Sequence, residues 1–133
     1  MSANFAVLPV VLPLATALLA LALGRASVLR RWLVGVSSVL QTILALAFMV
    51  ATFAAPPVVL AIGGWVAPYG IVLVVDQLAA IMLALGAVTA LATLLFGFGE
   101  LPTNREHPLR LPLVQFLMTG INLSFCTADL FNL

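Results

Sequence analysis

Apolar runs of the length needed to cross a bilayer, about 20 residues, recur along this chain between short polar breaks. They predict spans over residues 5–23, 32–53, 76–96 and 111–133. The second run opens at Trp32, suited to a membrane interface, and carries a polar patch of Ser37, Ser38, Gln41 and Thr42 near its start. Such residues let helices approach closely and hydrogen-bond one another in lipid. Pro56 and Pro57 end it. The first run holds Pro9 and Pro13, a kink that is tolerated if neighbouring helices cover the freed carbonyls.

Residues 58–75 break the pattern. Two short runs rich in β-branched residues, VVLAI and IVLVV, flank GGWVAPYG. Strand, Gly/Pro turn, strand is the expected order, so this segment is a predicted β-hairpin on the membrane surface, with Trp65 and Tyr69 at interfacial depth. Asp76 follows at the N-cap position of the third helix. On that helix Gly86, Thr89, Ala90, Thr93 and Gly97 form a small, mildly polar face for tight packing.

The last run carries a second pattern. Gln115, Thr119, Asn122, Cys126 and Asp129 are spaced 4, 3, 4 and 3 residues apart, one narrow stripe on a 3.6-residue helix. Leu113, Phe116, Leu117 and Ile121 lie off it. A carboxylate near a bilayer centre costs about 3 kcal/mol on insertion scales, so the stripe calls for a protein partner or a wet cavity. Asp129 and Asn122, with Gln115 and Thr119, are therefore ion-path candidates. The competing reading makes Asp129 a hydrated residue near the outer surface and Asn122 a bond between helices.

Composition settles the class. With 65% hydrophobic and 7% charged residues and a mean hydropathy of +1.30, this is an all-α integral membrane protein. The expected fold is four transmembrane helices with an outer-side β-hairpin between the second and third. All five Arg, at 25, 30, 31, 105 and 110, fall in the two loops joining the first to the second span and the third to the fourth. The positive-inside rule makes those loops cytoplasmic and puts both termini outside. It also argues against a cleaved leader, because the charges follow the first apolar run. No clustered basic surface for nucleic acid is present. One cysteine, Cys126, and one histidine, His107, exclude a multi-Cys or His-rich metal site, and no cofactor is expected. Cys126 reads as a small hydrophobe and His107 as a solvated loop residue.

Two stretches carry a family resemblance: GGWVAPYGIVLVVDQLAAIML over 63–83 and QFLMTGINLSFCTADLFNL over 115–133. They resemble the D subunit of Mrp-type multisubunit Na⁺/H⁺ antiporters, within the superfamily shared with the proton-pumping membrane subunits of respiratory complex I and membrane-bound hydrogenases. The matched positions are Trp65, Pro68 and Asp76, then Asp129 to Leu133. Gln77-Leu78-Ala79, Leu123 and Ala128 depart from the family pattern. The resemblance implies other antiporter subunits as partners, beside the lipid bilayer, in the cytoplasmic membrane. Family members continue through further helices that carry the proton-path glutamate and lysines, and this chain contains no Lys. The expectation is thus the N-terminal portion of a longer subunit, scaffold rather than ion path, with no catalytic residue to carry over and the α-helical stripe facing helices beyond this chain. The alternatives are a proton-translocating subunit of a complex I-like or hydrogenase complex, and a small structural or assembly membrane protein. A small drug exporter fits poorly, since the first span has no acid.

Overall fold

The computed structural model describes residues 3–24, 26–54, 56–61 and 72–127. Among them lie four α-helices and one hairpin: α1 Leu8–Ala22, α2 Ser27–Ala54, strands β1 Val58–Ala61 and β2 Val72–Val75, α3 Gln77–Glu100 and α4 Arg110–Cys126. A tight helical turn over Ala3–Val7 leads into α1. Among the described residues, three helices are long and apolar enough to span a membrane: Phe5–Ala22, Ser27–Ala54 and Gln77–Glu100.

The helix ends differ from the expected bounds for local reasons. α2 begins at Ser27 rather than 32, because Arg30 and Arg31 find partners within the fold and need not stay in a loop. Gly24 makes the preceding turn at φ +48°, a backbone conformation that side chains strain. α3 runs through Gly97 to Glu100, where packing outweighs the weak helix preference of glycine. α4 starts at Arg110 and stops at Cys126, and Thr127 turns extended to bridge to Leu73. Its 17 residues rise about 25 Å, short of the roughly 30 Å hydrocarbon core; the rest of the expected span, 128–133, lies outside the described residues.

The bundle is built as membrane proteins are: small inside, large outside. α1 packs mainly on α4, α2 mainly on α3, and the remaining neighbours close the ring. Ala17, Ala20, Ala45, Ala80, Ala84 and Ala87 are buried between them, while Leu18, Leu19, Ile43, Leu85, Leu113 and Leu117 face outward. Lipid tails are as apolar as leucine, so helix contact is driven by close packing and hydrogen bonds rather than by hydrophobic burial.

The hairpin closes one end. β1 and β2 pair antiparallel in the register Val58↔Val75 to Ala61↔Val72. On β2, Leu73 and Val75 turn inward and pack with Ala6, Phe48, Leu83 and Ala84, whereas Val59 of β1 is exposed. The turn of the hairpin, with Trp65, Pro68 and Tyr69, lies outside the described residues. Because Thr127 bridges Leu73 and the first turn packs beside β1, the start of α1, the hairpin and the end of α4 share one end. The two arginine-bearing connections share the other.

Candidate functional site

A layer of neutral polar side chains crosses the middle of the bundle. From α2, Gln41 Nε2 donates to Gln115 Oε1 of α4 at 2.9 Å and to Ser37 Oγ at 3.1 Å. Gln115 Nε2 returns a bond to Ser38 Oγ at 3.1 Å. Ser37 Oγ in turn lies 2.6 Å from Thr16 Oγ1 of α1, and Ser38 donates to the Val34 carbonyl at 2.9 Å. All five side chains are buried, Gln115 to 1% exposure. Thr42 adds a bond to the Ala87 carbonyl at 3.4 Å, tying α2 to α3. Buried amides this well paired add specificity and lock register, since each donor left unmet in an apolar interior is costly.

Two turns further along α4, Asn122 is 4% exposed and its Nδ2 donates to the Pro9 carbonyl of α1 at 2.7 Å. Pro13 stands four residues after Pro9 within the helix and has no N–H to offer it. Asn122 supplies the missing donor, and its Oδ1 has no partner among the described residues. Thr119 is half-buried and its hydroxyl donates back to the Gln115 carbonyl at 2.9 Å. Cys126 is buried on the same face.

The stripe on α4 therefore points into this chain's own bundle, against α1 and α2. The expectation that it faces helices beyond this chain is corrected for Gln115 and Asn122. Both are covered because α4 lies along α1 with its polar side across the bundle axis from α2. Asp129 lies outside the described residues. At the hairpin end, Asp76 is the N-cap of α3, its Oδ1 accepting from the Ala79 N–H at 2.7 Å. It borders a hollow of about 500 Å³ with Thr52, Pro57 and Gln77.

The arginine end holds an ion cluster for which the sequence carries little sign. Glu106, whose side chain is 0% exposed, accepts from Arg31 Nε at 2.7 Å and from Arg110 Nη1 at 2.5 Å. Arg31 also donates to the Leu101 carbonyl and lies over the Phe98 ring, 5.3 Å from its centroid. The Arg110 guanidinium occupies the space above Gly97 that a β-carbon would take. Arg30 is buried and donates to the Gly24 carbonyl, a cation set at the C-terminal end of α1 where the helix dipole favours it. The cluster thus staples α2, the α3–α4 connection and α4. The one local signal for it is the four-residue spacing of Glu106 and Arg110; the Arg31 contact joins positions 75 apart. Thr16 is equally silent in the sequence, a single hydroxyl in an apolar run. His107 is exposed, its Nδ1 accepting from the Leu109 N–H at 3.3 Å.

No group of three or more metal-binding side chains occurs among the described residues. Small outward residues on α3, with Gly86 and Ala90 half-buried and Thr89 and Thr93 exposed, line an open groove of about 400 Å³ against α4.

A polar-layered bundle of apolar helices with an end-capping hairpin is the architecture of a helical membrane protein, and comparison with known proteins makes this specific. Over its whole length the chain is homologous to part of the D subunit of Na⁺/H⁺ antiporters. It is 33% identical over 130 residues to the D subunit of the Na(+)/H(+) antiporter of Bacillus subtilis (strain 168), covering 98% of this chain and 26% of that protein. It is 38% identical over 137 residues to the putative antiporter subunit mnhD2 of Staphylococcus haemolyticus (strain JCSC1435), covering 100% of this chain and 27% of that protein. Among solved structures it is similar to the Mrp complex from Dietzia sp. DQ12-45-1b, with a TM-score of 0.88 at 25% identity over 98% of this chain and 24% of the other. It is also similar to the membrane-bound sulfane sulfur reductase, an archaeal respiratory membrane complex, with a TM-score of 0.83 at 27% identity over 96% of this chain and 26% of the other. No family model matches the chain. The chain spans about a quarter of the length of the curated relatives it matches.

Proposed function

We propose that this chain is the N-terminal scaffold of a monovalent cation/proton antiporter subunit, contributing helix packing and inter-subunit contact rather than the ion path itself. The observation that carries this reading is the chemistry of the interior. Gln41, Gln115, Ser37, Ser38 and Thr16 are neutral and satisfy one another, which favours a fixed joint over a site that takes up and releases a charge. Ion and proton pathways in membranes are built from ionisable groups facing a cavity. Glu106, buried beneath two arginines at the bundle end, has both side-chain oxygens engaged by guanidiniums, the arrangement of a structural staple. Gln115 and Asn122 accordingly act as contacts between helices, while the Thr119 hydroxyl bonds within α4.

In this reading all four helices lie in the cytoplasmic membrane. The arginine end is cytoplasmic and both termini lie outside, in keeping with the positive-inside rule. The open α3–α4 groove with its small residues is the face offered to further helices or to other subunits of the complex. Its single domain would then be part of a longer antiporter subunit.

The test is reconstitution. Alone in proteoliposomes, the chain is expected to give no Na⁺-driven proton flux above empty liposomes, yet to co-purify with the other antiporter subunits when co-expressed. Robust flux from the chain alone, or failure to co-purify, overturns the proposal. A second reading, a proton-translocating subunit of a complex I-like assembly, is favoured by the likeness to the archaeal respiratory complex. Co-purification with redox subunits in place of antiporter ones decides for it.

A further inference from the structure

We propose that the groove between α2 and α3 at the arginine end seats one anionic phospholipid, its acyl chain along the groove and its phosphate at the Arg31–Thr103 mouth. The groove encloses about 520 Å³ and its walls are almost wholly apolar, built from Val28, Val36, Val39, Leu40 and Leu95 with Trp32 at the rim. Gly35 on α2 supplies no side chain, so the floor stays open down to Phe98. From Arg31 to Leu40 the helix rises about 13 Å, close to the depth of one leaflet of a roughly 30 Å hydrocarbon core. The slot is therefore apolar over the length of a lipid tail and polar only at its top.

The top is cationic. Arg31 uses Nε on Glu106 and Nη2 on the Leu101 carbonyl, while Nη1 has no partner among the described residues. The Phe98 ring beneath the guanidinium, 5.3 Å from centroid to Cζ, holds the charge at the mouth. The Thr103 hydroxyl lines the same mouth and makes no hydrogen bond among the described residues. Arg105 is exposed two residues further on, and the arginines of this end outnumber its acids, Glu100 and Glu106. A phosphate diester fits this donor set. An apolar helix from a partner gains nothing from it, and a zwitterionic headgroup brings its own cation into an already cationic surface. Trp32, 70% exposed, belongs at headgroup depth, which places the mouth where a phosphate lies whichever side of the membrane this end faces.

The test uses the protein purified in its membrane assembly, delipidated and titrated with phosphatidylglycerol or phosphatidylcholine of matched acyl chains, with native mass spectrometry as readout. Phosphatidylglycerol is expected to be retained about fivefold more strongly, the worth of roughly one arginine near an anionic headgroup. Arg31→Gln abolishes that preference. Thr103→Val, which leaves the Glu106 ion pairs in place, weakens it. Gly35→Leu and Val39→Trp fill the slot and lose the bound lipid of either kind. A photoreactive residue at position 39 crosslinks to lipid. Equal retention of the two lipids by the wild type, unchanged retention in both slot-filling variants, or a crosslink to a partner polypeptide overturns the proposal.

Discussion

Asn122 on α4 completes the hydrogen bonding of Pro9 on α1, donating to its carbonyl at 2.7 Å across 113 residues of sequence. The proline at position 13 opens that carbonyl, and the asparagine closes it. Replacing Asn122 by Leu leaves the Pro9 oxygen unmet in an apolar interior and is expected to cost about 1–2 kcal/mol. Pro13→Ala restores an intrahelical donor to Pro9. The double variant is therefore expected to be more stable than the sum of the two single changes implies. Unfolding in mixed detergent micelles, followed by tryptophan fluorescence, measures the cycle. Strict additivity argues that the bond contributes nothing.

The Gln41–Gln115 pair makes a similar prediction of opposite chemistry. Gln115→Leu or Gln41→Leu alone strands a buried amide and is expected to destabilise by roughly 1–3 kcal/mol. The paired change removes both amides together and is expected to cost less than the sum of the two. The same unfolding titration reads all three variants.

Glu106 is the hub of the arginine end, with two guanidiniums on one buried carboxylate. Glu106→Gln removes the charge and leaves both arginines facing a neutral amide. The expected loss is about 2 kcal/mol, below the 3–5 kcal/mol typical of a fully buried pair because both guanidiniums keep some access to water. Limited proteolysis of the α3–α4 connection is expected to speed up in the variant. An unchanged cleavage rate rules out the stapling role.

Asp76→Ala removes the cap of α3 and is expected to cost about 1 kcal/mol. Asp76→Asn keeps an acceptor for the Ala79 N–H and is expected to retain most of the stability. Thermal aggregation midpoints in detergent, compared across the three proteins, test the ranking.

Much of this was legible in the chain. Runs of about 20 apolar residues set the helices, the Gly/Pro interruption between two β-branched runs set the hairpin, and the spacing of Gln115, Asn122 and Cys126 marked the buried side of α4. These are local regularities: helix period and strand chemistry act between residues a few positions apart, so the sequence alone carries them. What covers each surface is a different matter. That Gln115 meets Gln41, that Asn122 meets Pro9, and that Glu106 reaches back to Arg31 depended on how α4 lies across α1 and α2. In lipid that choice rests on packing and a few long-range hydrogen bonds, and no periodicity along the chain records it. The sequence determined which residues need partners; only the tertiary structure decided which partners they have.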